Sequence, residues 1–114
     1  MERVYQKLVR DKIPQIIEGN GETPVTRTLV EADYQMELEK KLLEECNEVV
    51  EAHGEDRLEE LADVLEIIRA MAKLEGKTVE DILQLANQKS EKRGAFEKRI
   101  FLEKVIEKNS IFFY

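Results

Sequence analysis

The sequence predicts an all-α protein built around an antiparallel helix pair. Apolar residues recur at helical spacing from about Asp33 onward, glycines interrupt the pattern at Gly54, Gly76 and Gly94, and helix-start signals follow the first two of these. The 114 residues fit one domain, residues 1–114, and the 42% hydrophobic content can supply one core.

Each element follows in chain order. "KLVRDKIPQIIEGNGETPVTRTL" carries Pro14, Gly19, Gly21 and Pro24, which predicts an irregular N-terminal arm with one short helical turn around Pro14 to Ile17. Leu38, Leu42, Val49 and Ala52 then mark a long helix that stops at His53 and Gly54. "DRLE", Asp56 to Glu59, has the form of an N-cap with a glutamate one turn on, and it opens a second helix. Leu58, Leu61, Leu65 and Ile68 give that helix an apolar stripe that runs to about Leu74, before Gly76. Thr78 caps a third helix, Asp81 suits its first-turn dipole, and Ile82, Leu85 and Ala86 face inward until Gly94. The last stretch, "AFEKRIFLEKVIEKNSIFFY", has two readings. Ile100, Val105 and Ile106 continue a helix, or the segment ends irregularly with Ile111 to Tyr114 as an apolar end in need of a partner.

Composition excludes several classes. A net charge of -7 argues against binding a nucleic acid polymer through a basic surface. No apolar run approaches the roughly 18 residues of a spanning helix, and "MERVYQKLVRDK" lacks the apolar core of a secretory signal, so no membrane association and a cytoplasmic location are expected. The single cysteine, Cys46, has no partner for an internal disulfide and is expected to be a small, half-buried hydrophobe. The acidity is local: residues 37 to 66 carry a balance of -9, which leaves the rest of the chain slightly positive.

Within that acidic segment the order of residues is informative. Positions 38, 42, 45, 49 and 52 form a heptad seam, occupied by Leu, Leu, Glu, Val and Ala; positions 60, 64, 67, 71 and 74 form another, occupied by Glu, Val, Ile, Met and Leu. Glu45 and Glu60 thus stand where apolar residues belong. Each has an acidic companion one turn on, Glu48 and Asp63. Folding the hairpin about Gly54 sets Glu48 against Glu60 and Glu45 against Asp63, so four carboxylates converge. Such a cluster repels itself and is costly to desolvate, so without a cation some members would have to take up protons. Oxygen donors with no thiol or imidazole on that face select a hard ion, Mg²⁺, with Mn²⁺ as a substitute. Glu39, Glu51, Glu55 and Glu66 are expected to be ordinary solvated acids.

"EECNE" (Glu44, Glu45, Glu48) followed by "ELAD" (Glu60, Asp63) resembles the EExxE…ExxD signature of the MazG-like, all-α nucleoside triphosphate pyrophosphohydrolases, the superfamily of phosphoribosyl-ATP pyrophosphohydrolase and the dimeric dUTPases. "NQKSEKRGAF" is similar to the basic segment after the third helix in MazG-like proteins, and "KLVRDKIPQII" resembles a small phosphoribosyl-ATP-pyrophosphohydrolase-like subgroup. The resemblance covers about residues 7 to 102. It implies a MazG-like helix bundle in which Glu45, Glu48, Glu60 and Asp63 ligate Mg²⁺ and Glu44 orients or deprotonates the attacking water, with Glu44, Glu45 and Glu48 forming the catalytic set. The implied reaction is hydrolysis of a nucleoside triphosphate between its α and β phosphates, giving the monophosphate and pyrophosphate, in nucleotide-pool house-cleaning. Positioning and charge neutralisation carry most of such a displacement. Lys89, Lys92 and Arg93 are the expected grip on the anionic substrate, with Asn87 offering amide hydrogen bonds.

The weaker candidates are each set against a structural role. Lys7, Arg10 and Lys12 have a phosphate contact weighed against surface ion pairs, Tyr34 and Phe96 base stacking against core packing, and His53 catalysis against capping a helix end. The second helix lacks the Tyr-His pair that follows ExxD in phosphoribosyl-ATP pyrophosphohydrolase, and the chain is shorter than the dimeric dUTPases, so the base is left unnamed. The resemblance also implies a homo-oligomer, dimer or tetramer. The competing function is a noncatalytic helical module that binds nucleotide or metal.

Overall fold

The computed structural model describes residues 1–107 and contains four α-helices, with no strand among those residues. They are α1 (Ile13–Gly19), α2 (Glu31–Glu51), α3 (Glu55–Leu74) and α4 (Val79–Arg93). No helix among the described residues is long and apolar enough to cross a membrane. The chain divides into two compact units, Met1–Ile82 and Leu83–Tyr114.

In the first unit α2 packs on α3. The heptad seam settles how they meet: Leu38 and Ile67 are buried, and every other seam position of both helices is half-buried. The competing stripe on α3 is largely uncovered, with Leu58 65%, Leu61 46% and Leu65 46% exposed and only Ile68 half-buried. Both stripes satisfy helical spacing, and contact with α2 selects the one that contains Glu60. Leu38 is the most enclosed large side chain among the buried residues, 4% exposed. Leu38→Ala is therefore expected to cost about 2–4 kcal/mol through lost transfer energy and a residual cavity, read as a lowered midpoint in urea unfolding.

The turn between the helices is Ala52, His53 and Gly54. Gly54 adopts φ 60° and ψ -133°, a conformation open to glycine and strained for other residues. α3 begins at Glu55, earlier than the "DRLE" pattern suggests, and no side chain caps it; Asp56 lies inside the first turn, where its charge suits the dipole. The C-terminus of α2 is closed by Arg57. Its Nε donates to the carbonyls of Val49 (3.1 Å) and Ala52 (2.8 Å), and its Nη2 to that of Val50 (3.4 Å). This side chain performs the capping considered for His53, which is exposed.

The short turn near Pro14 is a full α1, with Pro14 in its first turn, where a missing N–H costs nothing. The Thr78 cap is present: Thr78 N donates to Asp81 Oδ2 (2.9 Å), and Asp81 N donates to Thr78 Oγ1 (3.2 Å), which holds the Asp81 carboxyl below its ordinary range. Cys46 is exposed rather than half-buried, because it lies off the seam. Ile82, Leu85 and Ala86, predicted to face inward, are all exposed, as is Phe96 at 97%. After Gly94 the described residues form no helix, so Ile100, Val105 and Ile106 do not extend one. The end, Ile111 to Tyr114, lies outside the described residues.

Candidate metal centre

The seam carries its acids to one place because α2 and α3 run antiparallel about Gly54. One oxygen each from Glu45, Glu60 and Asp63 lie within 4.8 Å of one another. Glu48 lies close enough to Glu60 to perturb its carboxyl, and an open acidic groove containing Glu48, Glu51, Glu59 and Glu60 lies alongside. The mirror register is therefore observed: Glu48 meets Glu60, Glu45 meets Asp63, and Glu45 also meets Glu60.

Burial makes this arrangement costly. Glu45 Oε2 and Glu60 Oε2 are sealed from solvent and have no hydrogen-bond partner. Leaving a buried acceptor unsatisfied costs free energy, so native structures pair nearly all of them with protein, water or an ion. Glu60 bears the result. Its carboxyl is pushed up from 4.5 to about 7, first by the hydrogen bond with Glu48, then by lost solvation, the Glu48 charge and its contacts with Glu45.

The sign of the pH dependence follows. An acid with a raised folded-state pKa binds more protons folded than unfolded, so folding is favoured most below the ordinary value of 4.5 and least above about 7. Thermal melts in chelator are expected to show the midpoint falling across that window, relative to Glu60→Gln. Parallel curves for the two proteins would mean that Glu60 holds no extra proton.

Arg10 makes the surface ion pair that the sequence reading favours, and what the sequence does not reveal is its partner. From the N-terminal arm its Nη2 donates to Asp63 Oδ1 at 2.7 Å, with both side chains about half exposed. It is an ion pair, as weighed, but with a member of the cluster. No local pattern signals a contact between residues so distant in sequence. A phosphate grip by Lys12 finds no particular support, and Tyr34 is half-buried on α2.

Glu44 stands apart from the converging oxygens. It precedes Glu45 on α2, is exposed, and borders a cavity under the arm. Asn87, Lys89, Lys92 and Arg93 belong to the second unit, where all four are exposed and Lys92 and Arg93 occupy the last turn of α4. Chemically, the α2–α3 cluster offers only carboxylate oxygens. The converging oxygens of Glu45, Glu60 and Asp63 could hold a hard divalent cation, with Glu48 bordering the groove alongside.

No protein-family model and no solved structure matches the chain. An uncharacterized protein of Mycolicibacterium smegmatis (strain ATCC 700084 / mc(2)155) is 46% identical over 50 residues, which are 44% of this chain and 51% of that protein. The chain thus spans about half the length of the curated relative it matches.

Proposed function

We propose that the protein is a Mg²⁺-dependent nucleotide pyrophosphohydrolase of the MazG-like type, splitting a nucleoside triphosphate between its α and β phosphates in nucleotide-pool house-cleaning. The observation that carries this reading is the pair of sealed, unpartnered oxygens on Glu45 and Glu60, placed among four acids on an otherwise apolar seam. Glu45, Glu48, Glu60 and Asp63 would hold Mg²⁺, or Mn²⁺ in its place. A cation bound there supplies screening of phosphate charge and a lowered pKa for nearby water.

The chain's own residues do the rest. Glu44, exposed and adjacent to Glu45, takes the proton of the attacking water as its oxygen joins phosphorus. The α–β anhydride bond breaks, and its bridging oxygen leaves with the pyrophosphate. Asn87, Lys89, Lys92 and Arg93 are the proposed contacts to the anionic substrate.

The assembly proposed is a homodimer or homotetramer, supported by the exposed apolar face of Leu58, Leu61 and Leu65 on α3. A cytoplasmic site of action fits a nucleotide substrate and a lone cysteine.

Incubation with a panel of nucleoside triphosphates, with and without Mg²⁺, tests the reading. Pyrophosphate is the expected product, formed only when the ion is present. Orthophosphate in its place would mean that a different bond is cut, and tight binding with no product would favour the noncatalytic module.

A further inference from the structure

The anionic substrate needs a cationic grip, and the acid cluster cannot supply one. The first unit contains a second concave feature, a cavity between the N-terminal arm and α2. The arm side is Tyr5, Gln6 and Lys7, and the helix side is Lys40 and Lys41, one turn before Glu44. Three lysines and two glutamates therefore line one cavity, a local excess of positive charge in a chain whose net charge is -7.

These lysines are not used elsewhere. Glu37 and Glu44 stand four positions from Lys41 and Lys40, a spacing that commonly gives helical ion pairs, and both acids also border the cavity. Yet among the described residues the ion pairs are Arg3–Glu22, Arg10–Asp63 and Arg69–Glu66, and none involves Lys7, Lys40 or Lys41.

Arg10 ties the arm to Asp63 of α3, and Arg3 pairs with Glu22 within the arm itself. Gln6, inside the cavity wall, adopts φ 46°, uncommon for a residue other than glycine. Such conformations persist where the surroundings fix them, and they concentrate at binding sites. The turn at Gln6 sets Lys7 beside Tyr5, its Nζ 5.5 Å from the ring centroid, which steadies the ammonium group without neutralising it.

We infer that the cavity between Tyr5–Lys7 and Lys40–Lys41 is a subsite for a phosphate or pyrophosphate group, and that the N-terminal arm is part of the substrate-binding surface. Its placement fits the carboxylate site. Glu44 borders the cavity and shares one face of α2 with Glu48, so an anion held by the lysines lies next to the residue that handles water. The identity of the occupant as the phosphate end of a nucleoside triphosphate rests on the proposed function; the anion site itself does not.

Inorganic pyrophosphate is the probe, titrated into the full chain by calorimetry in the presence of chelator. Binding is expected, weakening with added salt, and Lys40→Gln with Lys41→Gln is expected to weaken it about tenfold or more. Lys7→Gln should act in the same direction, and Lys73→Gln with Lys98→Gln, exposed lysines outside every proposed site, should leave the affinity unchanged. Equal affinity in the wild type and the Lys40, Lys41 and Lys7 variants, or an equal loss in the Lys73/Lys98 control, would overturn the subsite. The subsite and the enzyme fail separately. Pyrophosphate binding that depends on Lys40 and Lys41 in a chain that hydrolyses no triphosphate sinks the enzyme reading alone. Turnover with an unchanged KM in the Lys40/Lys41 variant sinks the subsite alone.

Discussion

Glu48→Gln is expected to stop pyrophosphate release while leaving the α2–α3 hairpin folded. The substitution keeps the size of the side chain and removes one charge from the pair that raises the Glu60 pKa, so the helices lose nothing that holds them together. What disappears is a carboxylate donor for the proposed cation. Changes to outer partners of a metal site cost roughly 10–100-fold in affinity or activity, and loss of a direct ligand should exceed that. Circular dichroism and a pyrophosphate-release assay on one preparation decide it. Turnover within a few-fold of wild type would remove Glu48 from the mechanism.

The second large effect runs the opposite way for stability. Glu45→Leu combined with Glu60→Leu completes the apolar seam beside Leu38, Leu42, Val49, Val64 and Ile67. Two sealed carboxylate oxygens and their mutual repulsion disappear, and buried charges replaced by hydrophobic residues often leave a protein more stable. The double variant is expected to melt several degrees above wild type in chelator, and Mg²⁺ should no longer shift its midpoint. A lower midpoint would mean that these acids support the helix pair rather than burden it. The expected trade of activity for stability is the one seen where a site carries strain.

Much of this was legible in the sequence, for a physical reason. Helical spacing and glycine stops set α2, α3 and α4 to within a few residues, and a short turn leaves an antiparallel hairpin little freedom in register. The convergence of Glu45, Glu48, Glu60 and Asp63 follows from that register alone. What stayed hidden depends on contacts between distant residues or on choices between equal patterns. Leu58, Leu61 and Leu65 repeat as well as the seam does, and only the α2 surface decides which stripe is covered. Arg57 reads as one more surface base until the fold places it under three carbonyls. Arg10 reaches Asp63 from an arm that has no periodicity to reveal its path.

The carboxylate cluster is drawn entirely from residues 45 to 63, a single stretch closed on itself by Gly54 and Arg57. Joining its two ends sacrifices little chain entropy, because closure cost grows with the length enclosed. Contacts this local are expected to form before those that dock the arm onto α3, an order that hydrogen-exchange labelling during refolding would read. The acids therefore gather as soon as the hairpin does, and a variant weakened elsewhere should shed its arm while the cluster stays assembled. By the same logic the motif is portable: a helical hairpin carrying these residues contains the whole nest of acids.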